Sequence, residues 1–296
     1  MSFVRKFYYK FNRLDLIIEF RMKRCGMKKF VYCAIILLAS TLLLSCTHAL
    51  AYAQGSAISG DLNRDMVVSE SELILSILAY LDDSTNHFAL NELRESAHIH
   101  AYYPRTIIDD SAEPETVTIY KPVKRIIVLH SNGVEIIRTL NSSDKIIGIS
   151  KHTADCADFF PQISRFPMVG SVASPDLERI ISLNPDVVIA YRSHFIRCSE
   201  ELGNKLRGTD IILIRLDCYK PETMTRDVRK LGYIIERENE AEAFIGWYLR
   251  YLDVIDDRID DLGADEKPRV YIEGYDDYET YGTGSGADQF IEMAGG

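Results

Sequence analysis

Apolar and polar positions change period in a regular rhythm between residues 125 and 262. The runs RIIVL (125–129), KIIGI (145–149), DVVIA (186–190) and DIILIRL (210–216) are apolar at nearly every position, which predicts strands buried on both faces. Between them VEIIRTL (134–140), LERIISL (177–183), residues 196–206 and residues 224–235 carry apolar side chains at helical spacing. Strands that alternate with helices in this way predict a parallel sheet covered on both sides. Residues 106–120 alternate with period two and predict a hairpin around Asp109 to Pro114. Residues 238–262 run for about seven turns without Pro. Phe244, Trp247, Tyr248, Tyr251, Ile255, Ile259 and Leu262 fall on one stripe of this helix, the pattern of a rigid strut. Beyond Pro268, RVYIE (269–273) predicts another strand and residues 288–293 a short helix. Far upstream, Leu73, Ile74, Ile77, Leu78 and Leu81 share one helical face behind a loop rich in short oxygen-bearing side chains.

Charge changes the picture at the amino terminus. The 296 residues carry a formal net charge of -10, which argues against a nucleic-acid surface. Residues 1–29 hold nine Lys and Arg against two acids, and residues 30–53 hold no charged side chain. Met27-Lys28-Lys29, the apolar run Phe30 to Leu44 and Ala51-Tyr52-Ala53 have the order of a secretory signal, with a mature start near Gln54. Leu43-Leu44-Ser45-Cys46 is a rough lipobox, so the exported chain is either free or lipid-anchored through Cys46. Cys156, Cys198 and Cys218 remain beyond the signal, an odd number without CxxC spacing that implies no disulfide framework; they read as small packing residues, with one bridge and one free thiol as the alternative.

The loop Asp61-x-Asn63-x-Asp65-x-Val67-x-Ser69-x-x-Glu72 spaces oxygen ligands as a calcium loop does, with Val67 offering its carbonyl and Glu72 a bidentate carboxylate. It resembles one half of a dockerin, with two departures. Met66 stands where the sharp turn normally uses glycine, and residues 86–100 do not repeat the motif. Ser69 and Glu72 also form the S-x-x-E of a capping box, a reading compatible with calcium.

KPVKRIIVL (121–129), DKIIGIS (144–150), VGSVASPDLERIISLNPDVVIA (169–190), the strut helix and YGTGSGADQFIEMAGG (281–296) together resemble the substrate-binding proteins of ABC importers for iron chelates and corrinoids. The third segment is the most specific. The resemblance implies a two-lobed periplasmic-binding-protein fold of class III, α/β with parallel sheets and one long interlobe helix. Its parts would be a signal with N-terminal extension (1–53), a dockerin-like helical segment (54–105), an N-terminal lobe (106–237), the interlobe helix (238–263) and the start of a C-terminal lobe (264–296). Members of the family continue for most of a second lobe, so the resemblance implies that this one is incomplete.

The implied ligand lies at the loops after the strands' C-terminal ends, the rim to which open α/β sheets also point. The rim holds His130 and the candidate ligand contacts Ser131, Asn132, Lys151, His152, Tyr191, Arg192, His194 and Tyr219, joined by Tyr275 and Tyr281 from the second lobe. Aromatic faces suit a flat or chelated ligand such as a siderophore complex, haem or corrinoid, and Lys151 and Arg192 suit its carboxylates or phosphates. His130, His152 and His194 offer a weaker alternative, direct metal coordination. The resemblance implies that Glu178, on the helix of PDLERI, is one of two surface acids that dock into the ABC permease. Gly282 to Ala287 fits GxGxx[GA] but follows no strand immediately, and no catalytic motif is present, so the sequence predicts a binding protein and not an enzyme. Two other readings stay open: a calcium-organised cell-surface interaction module, and a metal-cofactor enzyme of nitrogenase-like architecture.

Overall fold

The computed structural model describes residues 58–82, 89–110, 114–192, 196–263, 265–274 and 277–296, with only the backbone at Ile196. The chain divides into two compact units, Met1–Pro104 and Arg105–Gly296. The signal, Cys46, His194 and Tyr275 lie outside the described residues.

In the first unit a loop leads into helix α1 (Glu70–Leu81), which packs against α2 (Leu90–Tyr102). The capping box forms: Glu72 N donates to Ser69 Oγ at 3.3 Å and Ser69 N to Glu72 Oε2 at 2.9 Å. Because Glu72 is tied back to the loop, α1 turns Glu72 and Ser76 inward. Ile74, Ile77, Leu78 and Leu81 are exposed, so the predicted apolar face is not the one that meets α2. Gly60, at φ +87°, allows a close approach, since a Cβ there would stand 2.5 Å from Ser96 Oγ.

The second unit opens with the predicted hairpin, β1 (Arg105–Ile108) against β2 (Thr116–Ile119), antiparallel with Arg105 opposite Ile119. Four parallel strands follow in the order β4-β3-β5-β6: β3 (Ile126–Val128), β4 (Ile146–Ile149), β5 (Val187–Ala190) and β6 (Ile212–Arg215). Helices α3 (Ser131–Thr139), α4 (Lys151–Asp155), α5 (Leu177–Ser182), α6 (Ile196–Leu206) and α7 (Pro221–Ile235) connect them or follow the last. On one sheet face Ile127, Leu129, Val188 and Ala190 pack with Ile180 of α5 and Leu202 and Leu206 of α6. On the other, α3 approaches so closely that a Cβ on Gly133 would lie 3.0 Å from Val128 Cγ1. Burial of each such Ile or Leu contributes about 1.5–3 kcal/mol.

Helix α7 starts at Pro221, three residues before the apolar periodicity suggests, because Pro is favoured at a helix's first position. It ends at Glu236 in the left-handed conformation (φ 60°), and α8 (Glu238–Ile259) sets off at once. Gly232 makes that elbow: a Cβ there would stand 2.5 Å from Ala241 Cβ. Only Ala241 and Ile245 of α8 are buried, while Trp247, Tyr251, Val254 and Ile255 are exposed. The strand expected at 269–273 does not form. Glu273 makes a single bridge with Thr280, because among the described residues no strand lies alongside to complete a ladder. The last helix is α9 (Gly286–Met293), capped by Ser285.

Candidate functional site

Adjacent parallel strands β3 and β5 end at the same level, with Leu129 N donating to Ile189 O at 2.9 Å. The next residues, His130 and Tyr191, therefore emerge side by side. Their rings stack at 4.1 Å between centroids and 15° between planes. Tyr191 Oη donates to Asn132 Oδ1 at 2.6 Å, and Tyr219 meets the Tyr191 ring edge-on at 6.0 Å. Cys218 adopts a left-handed conformation (φ 55°) just before Tyr219. The amino terminus of α9 rests on that ring, since a Cβ on Gly286 would lie 2.8 Å from Tyr219 Cε2.

Carboxylates hold the loops beneath these rings. Asp217 Oδ1 accepts from Arg192 N at 3.0 Å, and its Oδ2 lies 3.6 Å from Lys220 Nζ. Asp227 accepts from Cys218 N at 3.0 Å and from Thr223 Oγ1 at 3.1 Å. Burial raises the Asp227 carboxyl, against the lowering effect of hydrogen bonds from Cys218, Thr223 and Arg226. Burial also drives the His130 imidazole down to about 4, although Asp217 and the carbonyls of Leu216 and Ala190 favour its charged form. The Cys218 thiol is pushed well above its ordinary value by burial and by Asp227 and Asp217, which leaves it an inert packing group.

The structure thus gathers Asn132, Tyr191 and Tyr219, and places Ser131 and Arg192 beside them in the same loops. Lys151 and His152 stand exposed on α4, where Lys151 pairs with Asp155 at 3.8 Å. Tyr281 is exposed on the loop before α9. Glu178 is exposed in the first turn of α5, behind the cap that Asp176 Oδ1 makes to Arg179 N. His130 is buried with Nδ1 accepting from Gly133 N at 2.9 Å, so it does not join the exposed His152 in a metal site. Cys156, Cys198 and Cys218 are free thiols, and among the described residues they form no converging ligand group. Two cavities of about 500 and 520 Å³ lie beside β6 and α6 and between α7 and α8, away from the rings. The sequence set His130 on the rim and among three candidate metal-binding histidines; its stacking on Tyr191 follows from its position one residue past a strand, level with Tyr191 on the neighbouring strand.

In the first unit, ligand atoms of Asp61, Asp65 and Glu72 all lie within 4.8 Å of one another, the one such group among the described residues. Asp61 accepts from Arg64 N and Met66 N, and Glu72 Oε1 from Leu62 N and Asn63 N, each at 2.8–3.0 Å. Met66 takes the left-handed conformation (φ 71°) that glycine normally supplies at this turn. Burial would raise the Glu72 carboxyl, but hydrogen bonds from Ser69, Asn63 and Leu62 outweigh it and hold the group below its ordinary value. Asn63 Oδ1 accepts from Asp65 N, and Val67 N donates to Asp65 Oδ1.

Comparison with known proteins agrees with this architecture. The ABC transporter substrate-binding lipoprotein YvrC of Bacillus subtilis is 27% identical over 184 residues, covering 62% of this chain and 56% of YvrC. The molybdate-binding protein MolA of Haemophilus influenzae is 21% identical over 211 residues, covering 64% of this chain and 59% of MolA. The solved structure of MolA bound to molybdate has the same fold, with a TM-score of 0.56 at 20% identity and 64% coverage of each chain. The chain therefore spans somewhat more than half the length of these relatives. The periplasmic binding protein family model matches residues 126–296, from the first strand of the parallel sheet to the last residue, and the chain belongs to that family.

Proposed function

We propose that the protein is an extracytoplasmic solute-binding protein of an ABC importer, which captures an iron chelate of siderophore or haem type, or a corrinoid, and delivers it to the permease. The observation that carries this reading is the half-buried pair Tyr191 and Tyr219 at the strand-end rim, held by Asn132 and His130. Rigid aromatic faces bind flat or chelated ligands at little cost in conformational entropy. Arg192 supplies positive charge beside Tyr191, and Lys151 stands exposed at the start of α4, after the strand next to β3. Capture is a binding step, with no bond made or broken, and Glu178 is the acid that guides docking onto the permease. Export rests on the signal pattern of residues 27–53; no described helix is long and apolar enough to cross a membrane.

The test is uptake of radiolabelled ligand by cells carrying wild-type protein or Glu178→Lys, beside ligand affinity of each purified protein. Slower uptake at unchanged affinity supports delivery to a permease, whereas equal loss of both, or loss of neither, contradicts it. Molybdate, the ligand of MolA, serves as the compact oxyanion in the affinity series.

The loop of Asp61, Asn63, Asp65, Val67 and Glu72 supports a second proposal, a structural calcium site in the first unit. The convergence of three carboxylates within 4.8 Å favours it. Calcium should raise the thermal midpoint of wild-type protein, and Glu72→Gln should remove that rise; a midpoint indifferent to calcium and chelator would rule the site out.

A further inference from the structure

We propose that His130 is a positioning residue of the rim: its imidazole is the plate that fixes the ring plane of Tyr191 and so sets the face a ligand meets. The inference rests on the binding function proposed for this rim. His130 is 1% exposed, and nothing that enters from solvent reaches it while Tyr191 covers it. Its Nδ1 accepts from Gly133 N at 2.9 Å, which caps α3 and leaves the proton of the neutral ring on Nε2. Nε2 is buried toward the carbonyls of Leu216 and Ala190 without a well-formed hydrogen bond to either, so the Gly133 bond and the stack against Tyr191 are the ring's best-formed contacts. Gly133 supplies the floor. A Cβ there would stand 2.9 Å from His130 Cε1 and 3.3 Å from Nε2, so only glycine lets the ring lie flat under Tyr191.

Tyr191 is held from three directions. His130 covers one face, Asn132 Oδ1 accepts a hydrogen bond from the hydroxyl at 2.6 Å, and the Tyr219 ring abuts it at 86°. Its half-burial leaves part of the ring at the surface. A free tyrosine side chain would lose rotamer freedom on meeting a ligand, whereas a clamped one has lost it on folding. His130 therefore has two separable tasks, cap and plate.

Two variants separate them. His130→Phe keeps an aromatic plate and loses the cap acceptor; His130→Asn keeps a good cap acceptor and loses the plate. Affinity for haemin, hydroxocobalamin and a ferric trihydroxamate is measured by titration of the full chain, with urea midpoints for stability. For whichever probe the wild type binds, His130→Phe should stay within about threefold of wild type despite a lower midpoint, and His130→Asn should weaken binding about tenfold or more. Affinity that follows stability across both variants, or wild-type affinity in His130→Asn, overturns the proposal.

A ligand-free readout keeps this separate from the function itself. In spectra of ¹³C-tyrosine-labelled protein, with Tyr191 assigned through Tyr191→Phe, the stacked ring should resonate away from exposed tyrosines in wild type and His130→Phe. It should move toward them in His130→Asn. An unmoved Tyr191 signal in His130→Asn overturns the positioning role, whereas failure of wild type to bind any probe overturns the function and leaves the spectra to decide His130.

Discussion

Two ion pairs of the second unit share a 2.6 Å contact and differ in burial, so breaking them should have unequal consequences. Arg215 Nη1 lies 2.6 Å from Asp109 Oδ2, with side chains 8% and 2% exposed; Arg229 Nε lies 2.6 Å from Glu242 Oε1, with 56% and 55% exposed. Asp109 also accepts from Arg215 N at 2.7 Å, so its carboxylate ties the hairpin to edge strand β6 through two bonds. In Asp109→Ala the buried guanidinium keeps Ser199 O at 3.2 Å and Glu200 at 3.7 Å, while Arg215 N loses its acceptor. Removing one partner of a buried pair costs about 3–5 kcal/mol, and the residual Glu200 places this site at the lower end, near 3 kcal/mol. For a urea slope of about 1–3 kcal/mol per molar, the midpoint falls by roughly 1–3 M. Urea titration followed by far-UV circular dichroism measures it. Arg229→Ala should leave the midpoint unresolved from wild type, because solvent already screens that pair. Asp109→Leu combined with Arg215→Met should recover most of the loss, since both charges then leave the interior. A midpoint for Asp109→Ala no lower than that for Arg229→Ala would refute the assignment of this pair as a buried anchor.

Protonation supplies two further predictions. The folded-state pKa of His130, about 4, lies below its ordinary 6.5, so its contribution is fully present above pH 6.5 and is lost as pH falls through 4. The loss amounts to about 3 kcal/mol at 1.36 kcal/mol per unit, and urea midpoints at pH 7 and pH 4.5 should converge for His130→Phe relative to wild type. Glu72 has a depressed carboxyl pKa, so its stabilisation is present above the ordinary value of 4.5 and is lost as pH falls below it; Glu72→Gln should abolish that part of the first unit's acid sensitivity. Parallel acid titrations of variant and wild type would count against this.

Most of the second unit was legible because its signals are local. Ile126 to Val128 and Val187 to Ala190 are apolar at every position, and the structure buries them on both faces. The hairpin followed from two-residue alternation, and its observed register pairs Ile107 with Val117. Periodicity could not tell which face of α1 turns inward, because hydrogen bonds to Glu72 override a run of exposed Ile and Leu. Nor could it deny a strand at 269–273, since strand formation depends on a neighbour and not on the segment alone. The rim was legible as a set of loops. Which side chains converge was not: Tyr191 and Asn132 are 59 residues apart, and the Asp109–Arg215 pair spans 106, so nothing local marks either contact. Lys151 and His152 carry suitable chemistry, yet α4 leaves them in solvent.

Capture at the aromatic rim is tested most directly by titrating haemin, hydroxocobalamin, a ferric trihydroxamate and molybdate into wild type, Tyr191→Ala and Tyr251→Ala. Tyr251 is an equally aromatic control, 58% exposed on α8 and outside the rim. Wild type and Tyr251→Ala should bind a chelate or corrinoid saturably and one to one, with binding weakened at least tenfold in Tyr191→Ala, about 1.4 kcal/mol or more. Binding that survives Tyr191→Ala unchanged, or binding of molybdate alone, would contradict it.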